Sequence, residues 1–204
     1  MSIRARRTMR RRAARAGYTL IEVMMALGVL TAGSVAIMGM LQASTRGNME
    51  AREMTVGNQL AQLWIERLRR DGLNWTTAPV SAMNAPQVAA TVATTTYLRE
   101  VPAAGAAAPW FVPVAAGGET PNFDFYGADL TTGATPHYCT NVRLEWLFPG
   151  QAMRADVRVW WARRSNGTAT ADFSGCQADN LDTLTTSPDV RMVYASTVIR
   201  YAPR

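Results

Sequence analysis

Apolar and polar positions follow three successive patterns along this chain. From Val23 to Thr45 there are 23 consecutive residues without a charge, VMMALGVLTAGSVAIMGMLQAST. A run of that length suffices for a helix across a hydrocarbon layer about 30 Å thick. The pattern then changes to an apolar stripe at helical spacing, formed by Met49, Val56, Leu60, Leu63, Trp64 and Leu68. Arg52, Glu53, Asn58, Gln62, Glu66, Arg69 and Arg70 fall mostly off it. Asp71-Gly72 reads as the stop, with Gly in the C′ position and Arg just before it. The two patterns join into one helix over 18–71, which is 54 residues or roughly 80 Å if fully helical. Gly28, Gly33, Gly39 and Gly47 punctuate it, each weakening a helix by about 1 kcal/mol relative to Ala. Their expected role is close helix packing in a membrane, with local unwinding on leaving the membrane as the alternative.

Beyond residue 72 the period becomes two. Val142, Leu144 and Trp146 alternate with Asn141, Arg143 and Glu145, and Val157, Val159 and Trp161 alternate with Asp156, Arg158 and Trp160. This predicts a hairpin of Thr140–Phe148 with Arg154–Arg163 across PGQAM. Further strands are expected at Thr96–Val101, at Trp110–Val114 and from about Val190 to Tyr201. Residues 72–95, 103–109 and 115–121 read as loops. A helix followed by an antiparallel sheet is an α+β arrangement.

Composition adds that the chain can bury a core. Apolar residues make up 48% and charged residues 18% of its 204 positions, which excludes a solvated, disordered polymer. The net charge of +6 suggests on average a nucleic-acid or membrane-surface partner. Its distribution changes that reading. All 21 basic residues are Arg, and seven of them (Arg4, Arg6, Arg7, Arg10, Arg11, Arg12, Arg15) lie in the first 17 residues, where no acid occurs. From residue 18 onward 14 Arg face 15 acidic residues. A basic arm directly before an apolar run is the positive-inside signal, which leaves the N-terminus in the cytoplasm. A soluble core helix would leave the Arg block unexplained.

Glu22 stands at the edge of the apolar run, four residues after Tyr18. An ionised carboxylate in hydrocarbon costs a few kcal/mol or more unless it finds a partner. The simpler role is a residue at headgroup level, favourable near a helix N-terminus. That accounts for its tolerance but not for its neighbours, Gly17-Tyr18-Thr19-Leu20-Ile21-Glu22-Val23. The run GYTLIEV, behind a basic leader and before a continuous apolar helix, resembles the class III signal of type IV pilins and their relatives. The resemblance implies cleavage between Gly17 and Tyr18 by a prepilin peptidase and methylation of the new amine at Tyr18. It also implies pairing of that amine with Glu22 of a neighbouring subunit, since a buried ion pair is far cheaper than either ion alone. Tyr18 stands where Phe is commoner, Gly39 stands where many pilins carry Pro, and the leader is longer than in many pilins. A later run, QLAQLWIERLRRDG, suggests the minor pilins of the PilV type. The resemblance covers about the first 72 residues.

Other export signals fit less well. Ser34-Val35-Ala36 resembles an ordinary signal-peptidase site that would leave a mature terminus near Ile37, but Glu22 sits poorly in such a signal. Arg11-Arg12 lacks the surroundings of a twin-arginine signal.

In the head, Cys139 and Cys176 are the two cysteines, expected to form one disulfide if the head lies outside the cytoplasm. His137 is the single histidine and reads as an ordinary loop residue. Two Cys and one His are too few for a zinc site. Asp172, Asp179, Asp182 and Asp189 lie in the polar stretch 165–190. A calcium loop there is an alternative to a solvated loop, but the spacing does not match an EF-hand. No catalytic constellation, P-loop or dinucleotide fingerprint occurs, so the expectation is a protein that is not an enzyme and holds no cofactor.

The resulting expectation is an α+β, type IV pilin-like fold with a leader over 1–17, a helix over 18–71 that crosses the membrane at about 23–45, and a β-rich head over 72–204. The expected function is that of a minor pilin. It would be held in the bacterial inner membrane, head in the periplasm, and then join or prime a pilus. Expected partners are the prepilin peptidase, other pilins through the N-terminal helix, and the inner-membrane assembly platform, with no nucleic acid. The rivals are a pseudopilin of a type II secretion or competence system, and a membrane-anchored or secreted binding domain with an ordinary signal.

Overall fold

The computed structural model describes residues 17–75, 92, 94–114, 119–130, 135–165, 168–169, 176 and 190–201. The arginine-rich leader, most of the expected 72–95 loop and the four aspartates of 165–190 lie outside these. Helix α1 runs Leu20–Gly72 without a break, close to the expected span. A 3-10 turn follows at Leu98–Glu100. The strands are β1 (Asn122–Phe123), β2 (Tyr138–Phe148), β3 (Ala152–Ala162), β4 (Arg164–Ser165), β5 (Thr168–Ala169) and β6 (Val190–Arg200). An antiparallel sheet has the order β1-β2-β3-β6, and β4 pairs with β5 separately. The architecture is α+β. Two compact units divide at Asn48 and Met49.

In the first unit every described residue, 17–48, is exposed. Thr31 donates to the carbonyl of Gly28, Ser34 to that of Leu30, and Thr45 to those of Leu41 and Gln42, at 2.8–3.0 Å. These three hydroxyls of the apolar stretch therefore have acceptors within their own helix, as a span in lipid requires.

In the second unit the C-terminal part of α1 packs on one face of the sheet. The buried helix positions are Glu53, Gly57, Leu60, Ala61, Trp64, Ile65, Arg67, Leu68 and Asp71. The expected stripe is corrected at its edges: Met49 and Leu63 are exposed, at 49% and 39%, while Glu53, expected off the stripe, is buried. The face is rotated because Trp64 and Leu68 centre it and Gly57 lets the sheet approach. From the sheet Val142, Leu144, Met153, Ala155, Val157, Val159 and Trp161 complete the core. Alternation puts the odd-numbered β3 residues on this face and the even-numbered ones on the other.

The hairpin turns at Pro149-Gly150, where Gly150 has φ +73° and Gln151 donates its N–H to the carbonyl of Phe148 at 2.9 Å. Pro at the second position and a positive-φ Gly at the third is the type II combination. The partner strand starts at Ala152, two residues earlier than expected. The strand expected over Thr96–Val101 is instead the 3-10 turn. Asp71 explains it: its carboxylate accepts the N–H groups of Thr96, Tyr97 and Leu98 at 2.7, 2.6 and 3.0 Å, which gathers the backbone into a turn. The strand expected at Trp110–Val114 is reduced to one bridge, Phe111 with Val142. Pro109 and Pro113 flank that bridge and have no N–H to extend a ladder.

Arg67 is buried but not alone. It donates to both oxygens of Asp129 at 3.2 and 2.8 Å, sits 3.6 Å from Glu119, and lies over Trp64 and Phe123. Glu119 in turn accepts the hydroxyl of Tyr97 at 2.6 Å. Burial, followed by that carboxylate, pushes the Tyr97 phenol well above its ordinary range.

Candidate functional site

Two groups of residues carry the expected chemistry, and they belong to different units. The first is the start of α1. Gly17 and Tyr18 precede the helix and are exposed, and no neighbouring heavy atom stands within 4 Å of where a side chain at Gly17 would begin. Glu22 lies in the first helical turn. Its N–H is donated to the Thr19 carbonyl at 3.1 Å and approaches the Thr19 hydroxyl oxygen at 3.4 Å. Thr19 is thus the N-cap, and Thr19-Leu20-Ile21-Glu22 has the T-x-x-E spacing of a capping box. The sequence reading missed this role of Thr19, although the spacing was visible. It gives Glu22 a local reason to be the third helical residue, on top of the favourable helix dipole.

From Glu22 the helix continues through the uncharged run. It is the one helix among the described residues that is long and apolar enough to cross a membrane. A span in lipid needs this combination, with backbone polar groups satisfied internally and apolar side chains facing outward.

The second group lies in the head. Cys139, in β2, and Cys176 form a disulfide with their Cα atoms 5.3 Å apart. It sits on the sheet face opposite α1, packed with Trp160, Ala162, Val190 and Met192. Asn141, two residues along β2, anchors the same place. Its side-chain N–H₂ donates to the Cys176 carbonyl at 3.2 Å, and its oxygen accepts from Trp160 at 2.9 Å and Arg158 at 3.2 Å. Nothing in the alternation of apolar and polar residues marked Asn141 as a fully buried hub.

His137 is more than a loop residue. Its Nε2 lies 3.6 Å from the buried Glu53 carboxylate, and its ring meets Phe125 and Tyr138 edge-on. It therefore links Phe125 and the start of β2 to Glu53 of α1. Among the described residues, no group of three His, Cys, Asp or Glu is placed to hold a metal ion.

The arrangement therefore comprises a helix long and apolar enough to cross a membrane and a head stapled by one disulfide. No protein-family model, curated protein or solved structure matches this chain.

Proposed function

We propose that this protein is a minor type IV pilin, matured between Gly17 and Tyr18 and assembled through its N-terminal helix. The observation that carries the reading is a single helix. It starts within three residues of the Gly17-Tyr18 pair, places Glu22 in its first turn, presents an exposed apolar surface over 23–45, and continues as the core helix of an α+β head. Such an apolar surface has two physical uses, contact with lipid and contact with other copies of the same helix. A subunit that first waits in a membrane and then joins a helical filament needs both.

In this scheme the peptidase meets the GYTLIEV segment at the cytoplasmic face, where the arginine leader holds it. Cleavage removes seven arginines and leaves a nearly neutral subunit with one new cation, the amine of Tyr18. In the assembled bundle that amine pairs with Glu22 of the adjacent subunit, which sets the axial register. The same chemistry serves a pseudopilin of a secretion or competence system.

The deciding experiment is mass spectrometry of the mature N-terminus. The expected peptide begins at Tyr18 and carries a methyl group. A terminus near Ile37 would instead assign an ordinary signal peptide and overturn the proposal.

A further inference from the structure

Strand β6 is an edge of the four-stranded sheet. It pairs with β3 on one side, and among the described residues no strand lies on its other side. Its eleven residues pair one-to-one with those of β3 without a bulge, from Ala152–Arg200 to Ala162–Val190. One further bond shows which backbone groups face outward. Tyr201 donates its N–H to the Gln151 carbonyl at 2.8 Å, one step beyond the Arg200–Ala152 pair. Hydrogen-bonded and non-bonded pairs alternate along an antiparallel ladder. The odd-numbered residues of β6 therefore bond to β3, and the N–H and C=O groups of Met192, Tyr194, Ser196, Val198 and Arg200 point away from the sheet. Among the described residues, none of these five has a backbone partner on that side.

Proteins normally blunt such an edge with prolines, bulges, charges along its length or a covering segment. Here residues 192–199 contain no proline, glycine or charge, the register is unbroken, and Tyr194 and Val198 are 58% and 47% exposed. A row of unpaired N–H and C=O groups selects its occupant by geometry, because an extended backbone matches its alternating donors and acceptors. The charges narrow the choice. Arg191 and Arg200 stand exposed at the two ends of the uncharged row, roughly 30 Å apart along the strand. Neither forms an ion pair among the described residues. The strand has no acid of its own, so a second copy of β6 would bring two more arginines and no carboxylate.

We propose that β6 is a docking edge for an extended, acidic segment of a partner protein, which adds to the sheet as a further strand with carboxylates against Arg191 and Arg200. The backbone ladder supplies the affinity, and the two guanidiniums fix the register. The proposal stands apart from the pilin reading, because it concerns only the head.

The probe is the end-capped peptide Glu-Thr-Val-Thr-Val-Thr-Val-Thr-Val-Glu, titrated into the full chain in detergent micelles. Its length matches 191–200, so each terminal Glu lies opposite an arginine. Amide hydrogen exchange, read by NMR, should show Tyr194, Ser196 and Val198 exchanging at least about tenfold faster in the free protein than their odd-numbered neighbours. The peptide is expected to bind with a Kd on the order of 0.1–1 mM and to slow those three amides at least about tenfold. The same peptide methylated at every backbone nitrogen cannot donate and should bind at least about tenfold more weakly. A peptide ending in Lys in place of each Glu should bind at least about threefold more weakly at low salt. Val198→Pro removes one outward N–H, leaves the bonds to β3 in place, and should weaken binding at least about tenfold. The methylated peptide keeps the test valid if Val198→Pro unfolds the head. Protection of Tyr194, Ser196 and Val198 in the free protein, whether by its own chain or by a second copy, overturns the open edge. So does a peptide that does not bind, or one that binds equally well when methylated. Equal binding of the Lys-ended peptide overturns the acidic partner.

Discussion

Gly57 of α1 lies directly against Trp161 of β3: a Cβ at Gly57 would stand 2.7 Å from the Trp161 ring, closer than real side chains approach. Trp161 is 1% exposed and cannot swing aside into solvent. The contact sets how closely the helix lies on the sheet. Gly57→Ala is therefore expected to destabilise the head by about 1–3 kcal/mol through overpacking, despite a gain of about 1 kcal/mol in helix propensity. Gly47→Ala, with open space around it, should show only the propensity gain. Chemical denaturation of both variants separates the two cases, and a stabilised Gly57→Ala would refute the contact.

Asp71 should be the most sensitive of the described charges in the head, because among the described residues it alone gathers three backbone N–H groups onto one carboxylate. Asp71→Ala leaves those donors without their acceptor and is expected to cost about 3 kcal/mol. Asp71→Asn, which keeps one oxygen, should cost less. Limited proteolysis offers a second readout, with new cleavage near 94–101 in the Ala variant.

The Cys139–Cys176 disulfide spans a sequence separation of 37. In the chain-entropy model its removal costs on the order of 3–4 kcal/mol. A Cys139→Ser, Cys176→Ser protein should therefore unfold at a clearly lower denaturant midpoint. Non-reducing peptide mapping of the native protein should recover the 139–176 pair, and free thiols at both positions would contradict it.

Asp156 links stability to acid. Burial alone would raise its carboxyl, but the Ser196 hydroxyl bond, the Arg143 bonds and the Arg154 charge outweigh it and hold the group below its ordinary value of 3.8. A carboxyl depressed on folding contributes stability that is fully present above the unfolded pKa and is lost as pH falls through the folded one. Asp156→Asn should accordingly lower stability at neutral pH and flatten the acid limb below about pH 4. An unchanged limb would show that these bonds do not favour the ionised form.

Glu22→Ala tests assembly apart from processing. Cleavage at Gly17 is expected to persist, because in the proposed scheme processing precedes subunit pairing. Incorporation should fall sharply, since an unpaired amine in a desolvated bundle costs several kcal/mol. Immunoblots of sheared filaments against membranes would show it, and normal incorporation would remove the proposed role of Glu22.

The sequence by itself determined the elements whose signal is local. An uncharged run of 23 residues, a 3.6-residue stripe and a two-residue alternation are each written in adjacent positions, so α1, the β2–β3 hairpin and β6 were all legible. The presence of two cysteines made their pairing legible as well. The tertiary structure decided what depends on residues far apart. Thr96–Val101 has strand-like composition, yet Asp71 holds it as a turn. Trp110–Val114 meets β2 only once because prolines flank the bridge. Glu53 and Arg67 look like solvated helix residues but are buried beside His137 and Asp129. The polar cluster on the sheet's other face exists because register brings Arg143, Asp156 and Ser196 side by side from three strands. Periodicity reports which face a residue occupies, whereas only packing reports what stands opposite it.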